Sequence, residues 1–178
     1  GDELAEALPG FADSFRSEGV FSSSTVVEAG TFGENLMASL EAMGGSFFRP
    51  NVLFARMPRT KSRDEELAMV IGRAREKRVG VLVLAEHERA GLGRERTVNV
   101  WTVEKSPDWE LSMELGGFDL ALLVAYKLSR NWEGGLTICA NVRNKEEETR
   151  AQSFINDLRS TARMPEAGAF VGNGTLRK

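Results

Sequence analysis

The chain has one cysteine, Cys139, and one histidine, His87, in 178 residues. A lone cysteine excludes an intramolecular disulfide and a cysteine-based zinc set, and it fits a reducing compartment. Cys139 and His87 could act as a nucleophile–base pair only if the fold brought them together. Their settings argue otherwise. His87 stands among Glu86, Glu88 and Arg89, as in an exposed loop, and Cys139 lies in a strand-like run where cysteine is inert packing. A basic excess is also missing: 23 Lys and Arg face 26 Asp and Glu, a formal charge of −3. That disfavours a nucleic-acid partner. No run approaches the roughly 18 apolar residues that span a bilayer, and the N-terminus lacks the basic-then-apolar pattern of a signal peptide. Direct membrane insertion by this segment is therefore not expected, and neither a metal site nor a bound cofactor is indicated.

What is present is enough apolar material for a real core, with 42% of residues hydrophobic. Leu4, Leu8, Phe11 and Phe15 recur at helical spacing, and Pro9 is read as the start of that helix. Residues 20–28 are rich in Ser, Thr and Val and predict a strand. Residues 34–43 predict a helix stopped by Gly44 and Gly45. Residues 51–57 predict a strand. Ser62 and Glu65 form a capping-box pattern before a helix whose stripe is Leu67, Val70, Ile71 and Ala74. Residues 79–85 are nearly continuous apolar sequence of strand length, the signature of a parallel strand covered on both faces. Residues 97–103 predict a strand and 104–116 a polar excursion. Residues 117–130 are apolar nearly all round, which predicts the most buried helix. Residues 136–142 predict a strand, and Asn144 caps a helix with stripe Ala151, Phe154, Ile155 and Leu158. Residues 169–172 predict a last short strand.

This alternation predicts an α/β fold: a doubly wound, mostly parallel sheet with helices on both faces. In particular, residues 52–54 and 79–84 should be neighbouring parallel strands joined by the helix that contains Leu67 and Ala74. Residues 46–178 are expected to form one complete module, and residues 1–45 the C-terminal part of a preceding one.

Parallel sheets hold phosphates where a Gly-rich turn meets a helix N-terminus, which makes the glycines candidates. Gly91-Leu92-Gly93 starts such a pattern, but Arg96 replaces the next glycine and a strand follows instead of a helix. Gly30-Thr31-Phe32-Gly33, followed by Gly45-Ser46, approaches the phosphate signature of ATP-binding universal stress proteins, with a second gap two residues too long. The plainer reading makes these glycines turns and helix stops. Gly116-Gly117 could cradle an anion, opposed by the nearby Glu114 and Asp119. Glu146, Glu147 and Glu148 fit the first turn of a helix better than a carboxylate site. Trp101, on a strand, is expected in the core. Trp109, in the polar excursion, is a candidate interface residue.

Several blocks, taken in order, resemble a known family. They are Phe48-Arg49-Pro50-Asn51-Val52-Leu53, the strand ending Val100-Trp101, Gly116-Gly117 before the Leu-rich run to Tyr126, Trp132 in a basic stretch, and a strand bearing Cys139. Together they resemble the C-terminal cytosolic domain of the cation-chloride cotransporters, in a prokaryotic sodium/potassium/chloride type. Thr102 stands where many relatives have a second Trp. The resemblance implies universal-stress-protein-like modules, no enzymatic activity, and a place on the cytoplasmic face of the cell membrane. It further implies a homodimer that is weak in isolation, the transmembrane transport domain of the same polypeptide as partner, and a role in relaying regulatory state to that domain. Arg49, Pro50, Asn51, Val100, Trp101, Gly116, Gly117, Tyr126 and Trp132 carry the resemblance, with structural roles implied. The alternative is a stand-alone nucleotide-binding protein of the universal-stress type.

Overall fold

The computed structural model describes residues 2–22, 26, 30–45, 47, 49–58, 61–102, 108–111 and 118–173, without the side chains of residues 2–5, 61 and 62. The order of elements is α1 (Asp2–Ser17), α2 (Phe32–Gly44), β1 (Val52–Arg56), α3 (Lys61–Glu76), β2 (Gly80–Leu84), β3 (Thr97–Thr102), α4 (Phe118–Asn131), β4 (Gly135–Val142), α5 (Lys145–Thr161) and β5 (Gly168–Asn173). Every paired strand is parallel, so the α/β class expected from the alternation is the observed one. The strands fall into two sheets, β1-β2 and β3-β4-β5. The chain divides into two compact units, residues 1–85 and 86–178. The boundary expected between residues 45 and 46 falls inside the first unit. The reason lies in the contacts of α2, which packs on α3 and donates a hydrogen bond to it, from the Gly33 N–H to the Glu66 carboxylate.

In the first unit, α1 begins at Asp2 and runs through Pro9, so the expected start at Pro9 is corrected. The residues ahead of the proline, Glu3, Leu4, Ala5, Glu6, Ala7 and Leu8, are strong helix formers, and their propensity offsets the missing backbone bond. Within 20–28, the described residues Val20, Phe21, Ser22 and Val26 are not in a strand; the rest of that expected strand lies outside the described residues. β1 and β2 pair from Val52 with Gly80 to Arg56 with Leu84, with α3 as their connection, as the sequence predicts. Of the α3 stripe, Leu67, Val70 and Ala74 are buried, whereas Ile71 is exposed. The helix starts at Lys61, ahead of the expected cap, and the Ser62 side chain lies outside the described residues.

In the second unit, β3 pairs β4 and β4 pairs β5 in one continuous register, with Trp101, Cys139 and Phe170 abreast. One core joins Val98, Val100, Leu136, Ile138, Ala140, Val142 and Val171 to Leu122 and Ala125 of α4 and to Ala151, Phe154, Ile155 and Leu158 of α5. These strand residues share one face of the sheet, because successive side chains alternate across it. Both helices therefore cover the same face. The expectation that α4 is the most buried helix is corrected. Leu122, Ala125 and Ser129 of α4 are buried while Leu123 and Tyr126 are exposed; α5 buries Glu147, Ala151, Phe154, Ile155 and Leu158. An all-round apolar sequence does not bury a helix when the fold supplies a single sheet to lie on.

Candidate functional site

The phosphate-loop candidate can be judged from its hydrogen bonds. Gly30 turns the chain at φ +67°, and Thr31 caps α2. The N–H of Thr31 donates to Glu34 Oε2 at 2.7 Å, and the N–H of Glu34 to Thr31 Oγ1 at 3.3 Å. This is a complete capping box. The N–H of Gly33 donates to Glu66 Oε2 at 2.8 Å, from α3. A helix N-terminus attracts anions through its free N–H groups and its dipole. Here the N–H groups of Thr31, Gly33 and Glu34 are engaged by the protein, two of them by carboxylates. A phosphate would have to displace Glu34 and Glu66 and approach their charge. Gly45 closes the other end of α2, and Ser46 lies outside the described residues. Gly91 and Gly93 sit in the turn around the His87–Gly91 bridge, both at positive φ, with β3 following. The turn reading holds for Gly30, Gly91 and Gly93, whereas Gly33 lies inside the first turn of α2 and is corrected from a turn residue to a helical one.

Beside this cap, a hollow of about 440 Å³ opens at the C-terminal end of β1, lined by Phe32, Leu36, Phe54, Arg56, Met57 and Arg63 among others. The C-terminal ends of parallel strands are where open α/β sheets hold ligands. The Arg63 guanidinium stands 6.0 Å from the Phe32 ring centroid. In the second unit, a wider depression of about 710 Å³ is lined by Tyr126, Ser129, Arg130, Glu133, Arg163 and Glu166 among others. It mixes charges of both signs, so it selects neither anions nor cations.

His87 and Cys139 serve separate local roles. His87 Nδ1 accepts from the N–H groups of Arg89 and Ala90, at 3.3 and 3.2 Å, which ties down its own turn. Cys139 is buried on β4, and its thiol donates weakly to the Thr137 carbonyl at 3.9 Å. Burial pushes its pKa up, which lowers the thiolate fraction that nucleophilic chemistry needs. Among the described residues, no group of three or more His, Cys, Asp or Glu is placed to hold a metal. Also among them, no helix is long and apolar enough to cross a membrane.

The residues that carry the family resemblance do not converge on one point. Asn51 precedes β1, and its carbonyl accepts from the N–H of Gly80 at 2.8 Å, which sets the start of the β1-β2 register. Arg49 and Pro50 lead into it. Val100 is in the core of the second unit. Trp101, expected in the core, is 45% exposed, on the face of the sheet that α4 and α5 leave bare, in edge contact with Phe170 at 6.1 Å between centroids. The neighbouring Thr102 points the other way and is buried, its hydroxyl donating to the Cys139 carbonyl at 3.3 Å. Tyr126 is exposed on α4, and Trp132 follows that helix, its N–H bonded to the Leu128 carbonyl. Gly116 and Gly117 lie outside the described residues.

Trp109, considered for an interface, is 5% exposed. Its indole N–H donates to Glu147 Oε2 at 3.1 Å, and its ring meets Phe154 edge-on at 6.0 Å. It is a core residue of the second unit. The sequence reasoning missed this partnership and the tie from Glu66 to Gly33. A signal existed for the first: Glu147 is the third residue of α5, where the Asn144 side chain accepts its N–H at 3.0 Å, and a carboxylate held there by a cap is a ready acceptor.

Two family models match the chain end to end. "Prokaryotic cation-chloride cotransporter, C-terminal domain, 1st" matches residues 1–92, and "Prokaryotic cation-chloride cotransporter, C-terminal domain, 2nd" matches residues 93–176. Their junction lies close to the division between the compact units. Among solved structures, the crystal structure of the cytoplasmic domain of a prokaryotic cation chloride cotransporter is similar, with 40% identity and a TM-score of 0.85. The match covers 97% of this chain and 64% of that one. No curated protein matches significantly.

Proposed function

This chain belongs to the C-terminal domain of the prokaryotic cation-chloride cotransporters, and from that premise we propose that it is a cytoplasmic regulatory and self-association domain of an electroneutral cation-chloride carrier. In this reading the domain sits on the cytoplasmic face of the membrane and passes its state to the transmembrane transport domain of the same polypeptide. It does so by contact, without catalysis or a bound cofactor. The observation that carries the reading is the unbroken match of the two consecutive domain models over residues 1–176. The occupied α2 N-terminus supports it over a stand-alone nucleotide-binding protein, because the loop nearest to a phosphate signature already holds Glu34 and Glu66.

The test is chloride-dependent cation flux by the parent carrier in proteoliposomes, with the intact domain and with Trp109→Ala, which removes the centre of the second unit's core. A several-fold change in flux at equal insertion supports regulation through the fold of this domain; unchanged flux overturns it. Titration calorimetry with ATP separates the rival. The expected dissociation constant is no tighter than about 1 mM, and micromolar binding would favour the nucleotide reading.

A further inference from the structure

The chain's one histidine stands where its two halves join. The first compact unit ends at Ala85 and the second begins at Glu86, and the two family models meet between residues 92 and 93. The connection between them folds into a tight turn. His87 and Gly91 form an antiparallel bridge: the N–H of His87 donates to the Gly91 carbonyl at 3.1 Å, and the N–H of Gly91 donates to the His87 carbonyl at 2.9 Å. The N–H of Gly93 donates to the Ala90 carbonyl at 2.8 Å. Within this turn the His87 ring takes two further amides, since Nδ1 accepts from the N–H groups of Arg89 and Ala90. One ring nitrogen thus holds two consecutive backbone donors.

Only a neutral imidazole can do this. Nδ1 accepts while Nε2 carries the hydrogen; in the protonated ring both nitrogens are donors and neither accepts. A proton added at Nδ1 therefore breaks both bonds together and sets a cation against two N–H groups, which turn to water instead. Imidazole is the side chain that changes charge between pH 5 and 8, and His87 is the sole imidazole in the chain. The charges along its own connection offset one another: Glu86, Glu88 and Glu95 are matched by Arg89, Arg94 and Arg96, all exposed, as His87 is. Among the described residues, no hydrogen bond or ion pair joins the ring to another element. The two backbone bonds are therefore what the proton competes with. Gly91 and Gly93, at φ +55° and +84°, give the backbone room to rearrange once the ring lets go. We propose that His87 is an acid-sensitive latch on the connection between the two units. Neutral, it holds the turn closed; protonated, it releases it, so the latch is present on the alkaline side of the ring's titration and lost on the acid side. Protonation of a histidine then becomes a change of backbone. The inference goes beyond the proposed function and does not rest on it.

The experiment is nuclear magnetic resonance of the intact chain between about pH 8 and pH 5, where the single histidine gives one unambiguous ring. At the alkaline end the ring nitrogen shifts should show the hydrogen on Nε2 and none on Nδ1. As the ring gains its proton, the Arg89 and Ala90 amide resonances should move with the same midpoint. Their protection from hydrogen exchange, corrected for intrinsic rate, should fall about threefold or more, while the amides of β4 keep theirs. His87→Asn supplies a short acceptor that cannot titrate in this range, and should keep the turn closed throughout. His87→Ala should leave both amides unprotected at every pH. A hydrogen on Nδ1 at the alkaline end overturns the proposal. So does protection that persists while the ring titrates, or that is lost equally in His87→Asn. These readings are confined to the turn, so their failure leaves the carrier reading standing, and unchanged flux in the parent leaves the latch standing.

Discussion

Trp109 shows how one residue can reverse its sequence-level reading. It lies in a polar stretch, yet its ring is inserted against Phe154 and its N–H meets Glu147. Its backbone sits at φ +49°, a left-handed conformation that costs a non-glycine residue about 1–2 kcal/mol. The buried indole offsets that cost. Trp109→Phe keeps much of the ring but removes the donor facing a buried carboxylate, so urea unfolding should show a loss of about 1–3 kcal/mol. Trp109→Ala should cost about 3–5 kcal/mol. Cys139 gives a pH signature. Its folded pKa is raised above the ordinary value of 9.0 by burial. The folded state therefore disfavours the thiolate. Its contribution to stability is complete below the unfolded pKa and is lost as pH rises past 9.0 toward the folded value. The chain should thus lose stability in that alkaline window, and Cys139→Ala should remove that part of the slope; an unchanged slope would show that the thiol does not titrate there. A thiol reagent should react slowly with native protein at neutral pH and quickly once it is unfolded.

At the scale of elements, close backbone approaches decide where helices stop and strands start. Gly134 separates α4 from β4. Its N–H bonds the Ser129 carbonyl, while the N–H of Gly135 bonds the Arg96 carbonyl at 2.9 Å. A Cβ at position 134 would lie 2.6 Å from that same Arg96 oxygen. Backbone cannot yield as a side chain can, so Gly134→Ala must push β3 away from β4. The expected cost is on the order of 1–3 kcal/mol, measured by thermal unfolding of the second unit. A neutral result would show that the lead into β3 can move freely. The tie between α2 and α3 is a second case. Glu66→Ala leaves the Gly33 N–H without its charged acceptor and should cost about 1–2 kcal/mol, since the bond is only part-buried. The same change frees one N–H at the α2 N-terminus, so weak phosphate binding should increase there, readable by calorimetry with inorganic phosphate.

For the whole molecule, the self-association proposed above is the property to test. In the parent protein the membrane parts would hold the cytoplasmic domains together at an effective concentration on the order of millimolar. A contact used under those conditions need not be strong. The isolated chain is therefore expected to dimerise with a dissociation constant between roughly 10 μM and 1 mM, through a symmetric patch. Sedimentation equilibrium over that range checks it. A strict monomer at the upper limit would place the contact elsewhere in the parent, and a nanomolar dimer would defeat the tethering argument. Trp109, being buried, is not available as that patch in the folded chain.

Local pattern was sufficient for several features. The parallel pairing of β1 with β2 followed from two apolar runs and an amphipathic helix between them. The α5 cap followed from Asn144 and the glutamates after it, and the helix stop at α2 from Gly44 and Gly45. These depend on interactions within a few residues or on a crossover of fixed hand, so adjacency in sequence is enough to specify them. Tertiary structure alone decided the rest. The period-two pattern of β3 says that Val100 and Trp101 face opposite ways, but not which way lies the core; the placement of α4 and α5 on one face buried Val100 and exposed Trp101. Trp109 was drawn into the core by a carboxylate 38 residues away, and the α2 N-terminus was closed by one 33 residues away. Such partners meet only when the elements between them have packed, and a linear reading of the residues carries no distance across the fold.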